Sequence, residues 1–184
     1  MLSKVWLLPV LFAILISSSF GYAYAASADY FLKIEGVEGE SSDAKHKGQI
    51  EIDSFSWGVS NTGSMASGGG GGSGKASFQD FHFTKTVDKS SPKLMEAATT
   101  GEHLRSVELV VRKAGGDQLE YYKIELQDVV ITGYSTTGSS GEAPTESVSF
   151  NYSKIMFEYT PQNADGTAAS PVKAGYDLAT NKKI

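Results

Sequence analysis

The sequence predicts an all-β fold, a sandwich or barrel carrying one helix on its side. Apolar residues come mostly in short runs that alternate with polar ones, which is the period of a half-buried strand. Glycine is plentiful, 20 residues against 5 prolines, and gathers with serine between those runs, where turns belong. Only Ser91–Thr100 carries helix start and stop signals together. Many short strands and one helix are the pattern of a two-layer β architecture.

The first 25 residues stand apart from that fold. Met1–Lys4 carries one positive charge, Val5–Ile16 is apolar apart from Pro9, and Ala23-Tyr24-Ala25 puts small residues at the −3 and −1 positions. This is the layout of a secretory signal peptide, cleaved after Ala25 or, alternatively, after Ala28. An apolar run of about 12 residues falls short of the roughly 20 that cross a bilayer, so no stable membrane anchor is expected. Residues 26–184 are then one domain, large enough for a real core.

Within that domain Asp29–Val37 reads as a strand, with Phe31 on the opposite parity to Leu32 and Ile34. Gly36–Gly48 is a polar, turn-rich loop. Gln49–Val59 reads as a second strand, a Gly/Ser stretch follows, and Phe78–Val87 resumes as a strand with Phe81 and Phe83 on one face. In the helix, Ser90 or Ser91 is the expected cap, Pro92 suits the first turn, and Leu94, Met95 and Ala98 form the apolar stripe before Gly101 stops it. Ser106–Lys113 and Gln118–Tyr134 are expected to pair across the Ala114–Asp117 turn. Glu146–Thr160 is a long strand whose apolar parity switches between Phe150/Tyr152 and Ile155/Phe157/Tyr159, the mark of a bulge or of burial on both faces. Pro171–Leu178 is the last strand.

Composition excludes several functions. The formal charge is −5 and the leader holds one lysine and no acid, so the mature body is mildly acidic and unsuited to nucleic acid. There is no cysteine, hence no thiol nucleophile, no thiolate metal site and no disulfide; the core and any subunit contacts must hold the fold alone. Gly68–Lys75 satisfies a phosphate-loop spacing, but Ala76 stands where a Mg²⁺-binding hydroxyl belongs and a strand follows instead of a helix. An inter-strand loop is the better reading. His46, His82 and His103 lack metal-ligand spacing, and no carboxylate pair or nucleophile elbow stands out. No catalytic site, metal or cofactor is expected.

One strand says more. In Ser54-Phe55-Ser56-Trp57-Gly58 the two aromatics fall on one face and the two serines on the other. Alternation leaves two readings open: an ordinary half-buried strand with a solvated back, or a barrel wall whose small polar side chains face a wide polar space.

A set of stretches resembles one family. They are Phe31–Ser41, Phe55–Ser60, Gly68–Lys75 followed by Phe78–Phe81 and Phe83–Lys85, Ser91–Met95, Val111–Gly116, Glu120–Ile124, Pro144–Val148 and Tyr159–Gly166. Together, in this order and from about Asp29 to Lys183, they resemble the Hcp family, the ring-forming tube proteins of type VI secretion systems. The resemblance implies a two-sheet β-barrel with one flanking helix and six copies in a ring. It also implies rings stacked into a tube, secreted effectors held in the lumen, and other type VI components as partners. It implies that Ser54 and Ser56 face that lumen. It implies further that the Gly36–Gly48 loop makes ring-to-ring contact through Glu38, Glu40, Ser41, Asp43 and Lys45. The chain departs from the family's pattern in its leader and in Phe55, where many members carry Trp. The leader keeps a second expectation open, an exported Hcp-like binding or scaffold protein outside any injection tube.

Overall fold

The computed structural model describes residues 28–61, 76–114 and 118–184. The expected signal peptide, the Gly68–Lys75 run and most of the Ala114–Asp117 turn lie outside the described residues.

Among the described residues eleven strands and one helix follow in chain order. They are β1 (Ala28–Ile34), β2 (Ile50–Glu51), β3 (Ser54–Ser56), β4 (Val59–Asn61), β5 (Ala76–Phe78) and β6 (Phe81–Thr86). Next come α1 (Ser91–Thr100), β7 (Leu104–Lys113), β8 (Glu120–Thr137), β9 (Thr145–Tyr159), β10 (Val172–Asp177) and β11 (Lys182–Lys183). The pairing is antiparallel throughout. The main path runs β11-β10-β9-β8-β7-β1-β2, while β6 joins the first half of β9 and carries β3. A separate hairpin pairs β4 with β5. The all-β reading with one helix holds, and so does the β7–β8 hairpin.

The barrel implied by the resemblance is not closed by a continuous ladder. The strand path ends at β2 and β11, and the chain itself spans the gap between β2 and β3. There the Ile52 N–H donates to Tyr30 O on β1 (3.2 Å), and the Asp53 N–H donates to Thr84 O on β6 (2.8 Å). This handover breaks the single strand expected over Gln49–Val59 into β2, β3 and β4. In the same way Phe78–Val87 divides at Gln79–Asp80, because Phe78 pairs with Val59 whereas Phe81 pairs with Phe150.

The parity switch expected in the long strand is present, and it extends through three strands. Arg105, Asp128 and Ser153 lie side by side on β7, β8 and β9 and drop out of the ladder. The inward set changes parity across that row: Leu104 to Val107, Leu126 to Val129, Tyr152 to Ile155. Asp128 turns the corner with a φ of 52°. Ser153 fills the defect by donating its hydroxyl to Gln127 O (3.1 Å). A second irregularity, a bulge, falls between Ile131 and Gly133.

The core behind these strands is built on Leu32, Phe81, Phe83, Phe150, Leu109, Ile124 and Leu126, with Leu94 and Ala97 from α1. The helix buries Ser91, Leu94 and Ala97. Met95, expected in the stripe, is 48% exposed, because the buried line advances three residues at a time from Ser91. The cap falls on Ser90, one of the two residues expected there, but without the side-chain bond that a capping serine makes. The Asp88 carboxylate instead accepts the Ser90 N–H (2.9 Å). Ser91 is freed for a buried network: its hydroxyl accepts from Asp88 N–H (3.0 Å) and donates to Glu146 Oε2 (2.9 Å).

Candidate functional site

The outward side of the β3-β6-β9-β8 sheet is paved with hydroxyls. Directly opposed residues of an antiparallel pair point to the same face, so the register fixes which side chains share it. Ser54 opposes Thr84, Thr84 opposes Ser147, and Ser147 opposes Ser135. In the next row Ser56 opposes His82 and His82 opposes Ser149. Ser54 Oγ and Thr84 Oγ1 are 2.7 Å apart, a cross-strand hydroxyl pair. Beyond Ser149 the row ends on Gly133, where a Cβ would come within 2.6 Å of the Ser149 hydroxyl. Of the seven side chains in these two rows, His82 alone can ionise. Asp80 lies at the margin, held by Thr132 (2.6 Å) and by the Asn151 amide (2.8 Å).

The opposite side of the same strands is packed with aromatic rings. Phe55, behind Ser54 and Ser56, stacks on Phe81 at 5.8 Å, and Trp57 meets Phe157 at 6.5 Å. The aromatics are therefore packed inward and the serines outward, as alternation requires. Beneath Thr84 and Thr86 lies Lys85, fully buried, whose Nζ reaches Asp88 (2.8 Å), Glu146 (3.1 Å) and Thr86 O (2.9 Å). Tyr134 donates to the other oxygen of Glu146. Burial works against the Asp88 carboxylate, but hydrogen bonds from Lys85 and Ser90 outweigh it and hold Asp88 below its ordinary range. This network pins β6, β8, β9 and α1 together under the face. The sequence alone did not point to this network.

The Gly36–Gly48 loop folds back on its own domain. The Gly39 N–H donates to Gly48 O (2.8 Å) and the Ser41 N–H to Gln49 O (3.0 Å). Ser41 is buried, and Asp43 accepts from Arg112 Nη1 (2.7 Å), whose Nη2 donates to Asp29 (2.8 Å). The Arg112 guanidinium covers one aromatic partner, Phe31, at 4.8 Å, and His46 stacks on the same ring at 4.2 Å. Ser41 and Asp43 thus face inward, as anchors. Glu38, Glu40 and Lys45 are exposed; Glu38 pairs with Lys89 (3.2 Å) and Glu40 accepts the Lys89 N–H (3.1 Å).

The three histidines sit in three different settings: His46 packed in the loop base, His82 on the hydroxyl face, His103 exposed beside Asp128 (2.8 Å). Among the described residues no three potential ligands cluster to hold a metal, and no helix is long and apolar enough to cross a membrane.

A family model described as type VI secretion system effector, Hcp, matches residues 31–159. The chain belongs to the Hcp family. Protein hcp1 of Pseudomonas aeruginosa is 46% identical over 158 residues, which cover 84% of this chain and 98% of that protein. Among solved structures, Hcp1 from Salmonella typhimurium matches with a TM-score of 0.71 at 34% identity, covering 86% of this chain and all of that one. A type VI secretion system effector from Yersinia pestis matches with a TM-score of 0.68 at 36% identity, covering 81% of this chain and 99% of the other. The chain is accordingly a type VI secretion tube protein, and the open two-sheet architecture is the Hcp fold.

Proposed function

We propose that this Hcp protein acts as a ring subunit, six copies to a ring, with the hydroxyl face turned to the lumen and secreted effectors held against it. The observation that carries this reading is the ordered hydroxyl pavement that includes Ser54 and Ser56, on strands backed by the buried Phe81 and Phe150 and the half-buried Phe55. Exposed serines and threonines in register offer donors and acceptors at fixed spacing and bring no fixed charge. Its mechanism is steric and needs no catalysis. Glu38, Glu40 and Lys45 remain the ring-to-ring contacts of this proposal, presented on a loop that Ser41 and Asp43 anchor from within. The leader, residues 1–25, is removed after Ala25 and leaves a secreted domain of residues 26–184.

Light scattering of the mature protein tests the ring, with a particle near six times the monomer mass expected and a clean monomer sinking the reading. Ser56→Arg tests the lumen: rings should persist while co-purification of effectors with them drops. Loss of folding in that variant would instead make Ser56 a core residue. N-terminal sequencing of the exported protein checks cleavage. The leader also favours a second reading, an exported Hcp-like scaffold outside the tube, and export that continues in cells lacking the injection machine would select it.

A further inference from the structure

The two ends of the strand path carry opposite, uncommitted charge. At the β2 end Glu51 and Asp53 are exposed, and neither has an ion-pair partner among the described residues. They line an open cleft of about 500 Å³ together with Ala28, Phe31 and Ile52. Asp29, Asp43 and Arg112 line it too, and these two carboxylates are both committed to the guanidinium, which leaves Glu51 and Asp53 as the free charges. At the β11 end Lys182 and Lys183 are exposed, again with no ion-pair partner among the described residues, and the next residue, Ile184, is 58% exposed. Among the described residues Lys33, Lys45 and Lys47 are likewise without an ion-pair partner, whereas lysines such as Lys173 with Glu158 (2.7 Å), Lys123 with Glu120 (2.7 Å) and Lys89 with Glu38 (3.2 Å) are paired.

We infer that the β11 end of one copy, Lys182–Ile184, seats in the acidic cleft beside β2 of the next copy. The inference rests on the ring reading and names the contact that would build the ring. Charge complementarity sets the occupant: two free lysines and one exposed aliphatic side chain meet two free carboxylates over a partly apolar floor. A contact between two different patches of the same chain is heterologous, and such contacts repeat head to tail until the rotation closes. The edges left open at β2 and β11 are thereby covered, which removes a hazard that isolated sheet edges carry. Paired charges at a rim govern register and encounter more than raw affinity, so the contact should weaken with salt.

Charge swapping tests it on the mature protein. K182E/K183E and E51K/D53K should each run as monomers at concentrations where the wild type forms rings. An equimolar mixture of the two should regain the ring mass, because each then supplies the complement of the other. All four positions are exposed, so circular dichroism should match the wild type. Because the chain lacks cysteine, a second measurement is clean: D53C mixed with K183C should give a mixed disulfide faster than either protein alone gives a homodimer. Rings in both swapped variants, with no preferred disulfide, overturn this contact and leave the ring reading intact. A wild-type monomer overturns the ring reading itself.

Discussion

Lys85 Nζ lies 3.1 Å from Glu146 Oε2, and both side chains are sealed from water, at 0% and 1% exposure. A buried pair of this kind costs desolvation on both sides, and removing one member leaves an uncompensated charge. Glu146→Leu should therefore destabilise the domain by about 3–5 kcal/mol. The double variant Lys85→Met/Glu146→Leu should recover much of that loss. Urea unfolding of the three proteins checks it, and equal losses in the single and the double variant would refute the account.

The Arg112 guanidinium, helped by the Lys45 and His46 main-chain N–H groups, holds the Asp43 carboxyl at about 2 against a usual 3.8. A carboxyl whose pKa falls on folding contributes stability that is fully present above its unfolded value and lost as pH falls through the folded one. Melting temperature should thus decline between about pH 4 and pH 2, and Asp43→Asn should flatten part of that decline. An unchanged slope in the variant would show that Asp43 is not coupled to folding.

Gly39 has no room for a side chain: a Cβ there would come within 2.3 Å of the Gln49 carbonyl oxygen, which is main chain and cannot swing aside. Gly39→Ala should cost about 1–3 kcal/mol, the range of an overpacked site. The Gly39 and Ser41 amides, which close the loop on Gly48 and Gln49, should also exchange faster with deuterium. Wild-type exchange in the variant would show that the loop does not depend on that approach.

Neighbours on β9 should behave oppositely. Ser147 is exposed and Val148 is 1% exposed. Ser147→Lys should leave the denaturation midpoint nearly unchanged, whereas Val148→Lys buries a charge with no designed partner and should unfold the domain or cost several kcal/mol. Similar midpoints for the two variants would contradict the assigned facing of the strand.

The serine face was half legible in the sequence. Alternation alone sets Ser54 and Ser56 opposite Phe55, and the structure agrees. It cannot bring Thr84, Ser147 and Ser135 alongside, because that needs pairings between segments far apart in the chain. Lys85 did carry a signal, since it continues the parity of Phe81 and Phe83 and so points into the core; only Glu146, from a distant strand, shows how a lysine is tolerated there. The break within Gln49–Val59 had no local cue, because Ile52 and Asp53 are divided by their neighbours, Tyr30 and Thr84. Asp43 reads as loop surface in the sequence because the Arg112 that takes up its carboxylate comes from the distant β7.

The pavement of Ser54, Ser56, Thr84, Ser147 and Ser149 has one more consequence. Serine and threonine end one heavy atom past the β-carbon, so rotating them scarcely alters the contour of the sheet. Apart from the His82 imidazole that stands among them, the calibre of any passage lined by this surface would be set by the main chain, behind which the Lys85–Glu146 pair ties β6 to β9. Such a bore would change its gauge chiefly where His82 turns.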